Sequence, residues 1–289
     1  MRLPVFLLLS LVFASCVTSR VNQFASYADA GKLYVEAVGG LLQETGRVAI
    51  DADSEILLKD RDLFNQEERG DLYLERAKVL REYLATLQDL HRHTSLLGDY
   101  FTALGQLAGT GAPSSIGDRV NAVMKSLESL HPQLKEASFG SGTAKDFMGA
   151  SVPLAIASFR NQKLEAELRR NAPLIERELE LQQALVTALA GQLRFDLELL
   201  LGQKDYNQVM MPYVNPGMIG ESWKAKRREV MTTYLSLDAV NKAVAAAGAL
   251  KHSFLDLVEN RTGSTGFQSL FGDINAMISL VEMLRKKAE

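Results

Sequence analysis

The sequence predicts an all-α protein, an elongated antiparallel bundle of about six or seven helices, on three observations. Apolar residues recur at steps of three and four along most of the chain, the spacing that lines one stripe of a helix. Leu, Ala, Glu, Gln and Lys are abundant, while only seven prolines and 7% aromatic residues are present, so the chemistry favours helix over strand. No window alternates with a period of two between turn residues, so no sheet is expected.

The chain begins with a different pattern. Met1 and Arg2 precede an apolar run from Leu3 to Phe13, and the small residues Ala14 and Ser15 lead into Cys16. One positive charge, a short apolar stretch and small residues before a cleavage point describe a secretory signal peptide over 1–15. The run is shorter than the roughly 20 residues of a membrane-spanning helix. Val12-Phe13-Ala14-Ser15-Cys16 resembles the lipobox of bacterial lipoproteins, departing at Phe13, where that family usually carries Leu. The resemblance implies cleavage before Cys16 and attachment of lipid, palmitate among its acyl chains, to that residue. Val17 after it, rather than Asp, implies sorting to the periplasmic face of the outer membrane. Cys16 is the single cysteine, so once it is lipidated no disulfide can form within the chain. Removing Arg2 with the leader takes the formal net charge of -3 one unit further negative. Such a mildly acidic chain gives no electrostatic case for nucleic acid.

After a short tether over 16–21, one bundle domain is expected over 22–289. Phe24, Tyr27, Tyr34, Val38, Leu41, Val48 and Ile56 share one stripe of a first helix that reaches about Phe64. Gly31 and Thr45 lie on that stripe, where small side chains allow another helix to come close. Asn65 to Asp71, with Gly70, reads as a turn. A second helix to Ala108 carries a seam of Leu80, Tyr83, Leu87, Leu90, Thr94, Leu97, Phe101 and Leu104. Gly109 to Ser115 breaks it, and a third helix runs to about Leu134. Lys135 to Asp146 reads as loop. A fourth helix is expected from Ser151, with Pro153 in its first turn, and Asn171-Ala172-Pro173 marks a new start or a kink. The fifth carries Leu179, Val186, Leu189, Leu193, Leu197 and Leu200 and ends before Pro212. A sixth uses Val230, Tyr234, Leu237, Val244, Phe254 and Leu257. After a turn over Arg261 to Gly266, a last helix carries Phe267, Leu270, Ile274, Met277, Val281 and Leu284. Helices of about 40 residues would be roughly 60 Å long.

Candidate chemistry is sparse. His91 and His93 are two residues apart, so on a helix they point about 200° apart and cannot share an ion. His93 could pair with Asp89, and His91, beside the seam, reads as partly buried. Glu128 and His131 make one Glu-x-x-His pair, but a di-iron bundle needs two and further carboxylates. Gly140 to Lys145 lacks the spacing of a phosphate loop, and no strand precedes it. Neither a catalytic set nor a metal or cofactor site is assembled, so no enzyme activity is expected.

One segment departs from the helices. Met210, Met211, Tyr213, Met218 and Ile219, followed by Trp223, are too apolar for an ordinary solvated loop, and Lys224, Lys226, Arg227 and Arg228 follow. Methionine and aromatic residues are enriched at interfaces. The segment is therefore either a cap folded over the open end of the bundle or an exposed partner contact. With the anchor that the lipobox resemblance implies, the expected function is a lipid-anchored scaffold that contacts an envelope protein; the alternative is a periplasmic ligand-binding or sensor bundle with a cavity between helices.

Overall fold

The computed structural model describes residues 5–110, 116–136, 138–139, 142–143, 163–215, 219–261 and 266–286. Side chains are described from residue 21, except at 62, 110, 131–143, 163–168, 235, 236 and 266. Helix α1 (Val5–Asp60) and helix α2 (Gln66–Thr110) form one long antiparallel hairpin, joined by a 3-10 turn at Arg61–Leu63. The turn comes earlier than the sequence suggests, because Asn65 caps α2. Its Oδ1 accepts from the backbone N–H groups of Glu67 (3.0 Å) and Glu68 (3.1 Å), and Glu68 Oε2 accepts from the Asn65 N–H at 2.9 Å. This reciprocal pair satisfies donors that a helix start leaves bare. Gly70, read as part of the turn, lies inside α2.

Helix α3 (Ile116–Glu136) returns along α2, with Arg119 reaching Asp99 at 3.3 Å. Strand β1 (Ser138–Phe139) then pairs antiparallel with strand β2 (Gly142–Thr143). This corrects the expectation of a plain loop without sheet, yet two residues a side leave the all-α class unchanged. The helix start expected at Ser151 and Pro153 lies outside the described residues.

Helix α4 (Lys163–Asp205) passes through Pro173 without ending, so Asn171-Ala172-Pro173 does not begin a new helix. Proline removes one N–H from the ladder. The residues that follow it, Ile175, Glu178 and Leu179, are buried, and that tertiary packing carries the helix across the gap. Beyond α4 the chain turns through α5 (Met211–Val214) and comes back as α6 (Trp223–Ser236). The single sixth helix of the sequence reading is two: a 3-10 turn at Leu237–Ala239 separates α6 from α7 (Val240–Val258). Just past α7 the chain turns at Asn260, whose φ of 60° is left-handed, and Arg261 N–H then donates to Asp256 O at 2.8 Å. Asn tolerates that conformation better than most residues, and the bond closes the last turn.

Helices α4 and α7 run antiparallel, with Lys251 Nζ 2.9 Å from Glu180 Oε1 near one end and Arg194 facing Asp238 near the other. Helix α8 (Gly266–Lys286) lies along α1. Arg47 on α1 fixes the register, donating from Nη2 to the Leu284 carbonyl at 2.8 Å and from Nε to Glu44 at 2.9 Å. A cation at the carbonyl end of a helix satisfies groups the helix itself cannot.

The core fills the half of the bundle nearer Phe24. Phe24, Tyr27, Leu97, Phe101, Leu104, Phe254 and Leu270 are fully buried, and Tyr27 meets Phe101 edge-on at 5.6 Å. The seam on α2 is buried from Leu87 to Leu104 as its spacing predicts, but Leu80 and Tyr83 are half-buried and burial fades toward the α1–α2 turn, where Leu58, Leu63, Tyr73 and Leu74 are exposed. Helices α1 and α4 are parallel, since Tyr34 senses the charge of Glu178 and Ala52 lies across a cleft from Asp196. The turns at Arg61–Leu63 and at α5 therefore lie at the same end of the bundle.

Candidate functional site

The apolar segment after α4 has a defined backbone, set up by one proline. Pro212 has no N–H, and its ring would press on the carbonyl four residues earlier in a regular helix. The chain avoids that by widening into a π-helical turn at Tyr206–Met210, in which the Met211 N–H donates to Tyr206 O five residues back. Such turns occur where a helix accommodates an irregular residue. Helix α5 follows for one turn, and Asn215 closes it with its own side chain on Met211 O at 3.1 Å.

Trp223 holds the returning strand of chain in place. Its Nε1 donates to Val209 O at 2.9 Å, and its ring stacks on Tyr213 with centroids 5.8 Å apart. The Arg227 guanidinium sits 6.0 Å from the same ring, within cation–π range. Among the described residues of the segment only Val209 is buried. Tyr213 is 67% exposed, Val214 62%, Ile219 49% and Met210 45%; Met211 and Trp223 are half-buried. Met218 lies outside the described residues, as do the side chain of Cys16 and those of the rest of the leader. Among the described residues the segment is largely exposed. Lys224, Lys226, Arg227 and Arg228, in the first turns of α6, are all exposed.

A second constellation escaped the sequence reading. His93 on α2 and Glu178 on α4 are both fully buried, with His93 Nε2 2.9 Å from Glu178 Oε1. Gln182 Nε2 donates to the same oxygen at 2.9 Å. A carboxylate can only accept, so the imidazole hydrogen lies on Nε2. His93 Nδ1, Glu178 Oε2 and Gln182 Oε1 have no hydrogen-bond partner among the described residues. Tyr34 stands nearby on α1, its phenol pushed well above its ordinary pKa by burial and then by the charge of Glu178. His93 thus does not pair with Asp89, which is held by Arg92 at 2.7 Å. His91 is half-buried against Gly39 on the other side of α2.

The His93 and Glu178 side chains are both fully buried, so the arrangement is a polar layer inside the core. Glu128 is exposed, and the side chain of His131 lies outside the described residues. Among the described residues no three His, Cys, Asp or Glu side chains converge as metal ligands, and no helix is long and apolar enough to cross a membrane. No family model, curated protein or solved structure matches the chain.

Proposed function

We propose that this chain is a non-catalytic interaction module of the cell envelope, held to the periplasmic face of the outer membrane by lipid on Cys16. In this reading it meets another envelope protein through the apolar tip at the far end of the bundle. The observation that supports it is the joint exposure of Met210, Tyr213, Val214 and Ile219 on a segment shaped by Trp223. An apolar surface held in shape loses little freedom on docking, so more of its burial appears as affinity. Helix rise from residue 21 to residue 60 puts the tip roughly 60 Å from the lipid. At that distance it cannot dip into the bilayer that anchors Cys16, so a partner is met in the aqueous space.

Two results are expected. Cys16→Ser should move the chain from the membrane fraction to the soluble one, and mass spectrometry of the mature wild type should find acylated Cys16 at its N-terminus. An unmodified Cys16 there removes the anchor from the reading. Met210→Ser with Tyr213→Ser should abolish the main crosslinked species in intact cells while costing no more than about 1.5 kcal/mol of stability, the most the lost stack of Tyr213 on Trp223 is worth. A crosslinking pattern that survives both substitutions means that the tip is not the docking surface.

A further inference from the structure

On the core side of the tips, α1, α2 and α4 part to leave an open cleft of about 510 Å³. That volume is in the range of small-molecule sites. The walls are mostly apolar, with Ile56 from α1, Leu72, Val79 and Leu80 from α2, and Phe195 from α4. The charges on them do not balance. Three carboxylates, Asp53, Glu75 and Asp196, face one guanidinium, Arg76. That guanidinium is already committed, since its Nε donates to Asp53 Oδ1 at 2.8 Å.

Asp196 is the group the fold leaves least satisfied. It is only 5% exposed, and Oδ1 accepts from Gln192 Nε2 at 2.9 Å, but Oδ2 has no hydrogen-bond partner among the described residues. Burial pushes its carboxyl above the ordinary carboxylate range, and the Tyr83 phenol is raised by burial and then by the charge of Asp196. A buried carboxylate with one bare oxygen is costly unless a donor or a positive charge reaches it.

We propose that this cleft binds a small organic cation, an amine on an apolar body, with the ammonium at Asp196 and the body against Phe195, Val79 and Leu80. An anion would meet uncompensated carboxylates, and a neutral apolar molecule would leave the Asp196 oxygen bare. A cation answers both. The site shares no residue with the tip, so it stands or falls independently of the docking reading.

The test is calorimetric titration of the full chain in detergent, with 4-phenylbutylamine and 4-phenylbutanol as probes and protein-free micelles as the blank. The two share an apolar body and differ in the ammonium. The amine is expected to bind at least tenfold more tightly than the alcohol. Asp196→Asn keeps an oxygen for Gln192 and removes the buried charge, so it should melt no lower than wild type. It should also bring the amine to within about threefold of the alcohol. Val79→Lys, at a position 61% exposed and therefore tolerant, changes a wall that both probes touch but adds a positive charge, so it should weaken the amine severalfold more than the alcohol. Equal affinity for the two probes, or no binding of the amine, overturns the proposal. So does an amine preference that persists in Asp196→Asn or is untouched by Val79→Lys.

Discussion

Gly31→Ala is expected to destabilise the bundle by about 2 kcal/mol, although the same change in most helices stabilises. Two effects compete at this position. Replacing glycine by alanine inside a helix gains about 1 kcal/mol, because glycine has more backbone freedom to lose on folding. Against that, a Cβ built on Gly31 would lie 2.3 Å from Phe101 Cδ1 and 2.4 Å from Phe101 Cγ. Phe101 cannot step aside. It is fully buried, and its ring is held edge-on by both Tyr27 at 5.6 Å and Tyr100 at 5.4 Å. Overpacking of this kind costs roughly 1–3 kcal/mol, and with three ring atoms in overlap the upper end applies. Steric cost wins. Gly202→Ala in α4 is the matched control, since nothing lies within 4 Å of its Cβ, and it should stabilise by about 0.5–1 kcal/mol. Urea unfolding of both variants checks the pair. A Gly31→Ala midpoint at or above wild type would mean that α1 and α2 are not in contact there. Phe101→Leu in the Gly31→Ala background should recover part of the loss.

That contact also shows how much of the fold was legible. Gly31 and Thr45 stood on the apolar stripe of α1 in the sequence, and both are buried, Thr45 with its hydroxyl turned back to Leu41 O at 2.8 Å. Periodicity reveals which face of a helix is covered, because burial follows from the apolar spacing itself. It does not reveal where a helix ends when a cap outweighs a glycine. Asn65 and Glu68 spell a capping box, yet Gly70 drew the turn to itself. Nor does it reveal where a helix survives a proline, because the burial of Ile175 and Leu179 that sustains α4 comes from neighbouring helices. The break at Leu237–Ala239 has no glycine or proline to announce it. The tip was conspicuous in composition, but whether such a segment is covered depends on which helices end beside it. The cleft at Asp196 was unreadable for the same reason, as its residues come from three separate helices. The buried polar layer left one trace: Glu178 and Gln182 fall three and seven residues after Ile175, on the stripe that continues to Leu185 and Leu189.

His93→Leu, the variant that strips Glu178 of its ring partner, is expected to cost about 3–5 kcal/mol, the penalty for removing one member of a buried pair. Glu178 would keep a hydrogen bond from Gln182 on Oε1 and nothing on Oε2, in a layer where Tyr34 and Leu179 shut out water. Glu178→Leu should cost less, about 1–3 kcal/mol. It leaves a neutral imidazole with an unmet N–H, and an unmet neutral donor is cheaper to bury than an unmet charge. The double variant, His93→Leu with Glu178→Leu, should return to within about 1 kcal/mol of wild type. Desolvating the pair consumes most of what its attraction supplies, and two leucines of similar bulk need no partner. The three variants therefore close a cycle with strong coupling, in which the double is more stable than either single. Equilibrium unfolding at fixed pH measures all three. If the two single costs simply add in the double, His93 and Glu178 do not act on one another. If the double is no more stable than His93→Leu yet loses clearly less than the two single costs summed, the layer stabilises the fold as a network that includes Gln182 and Tyr34. In that case Gln182→Leu in the double background should regain stability, because it removes the last amide left without an acceptor.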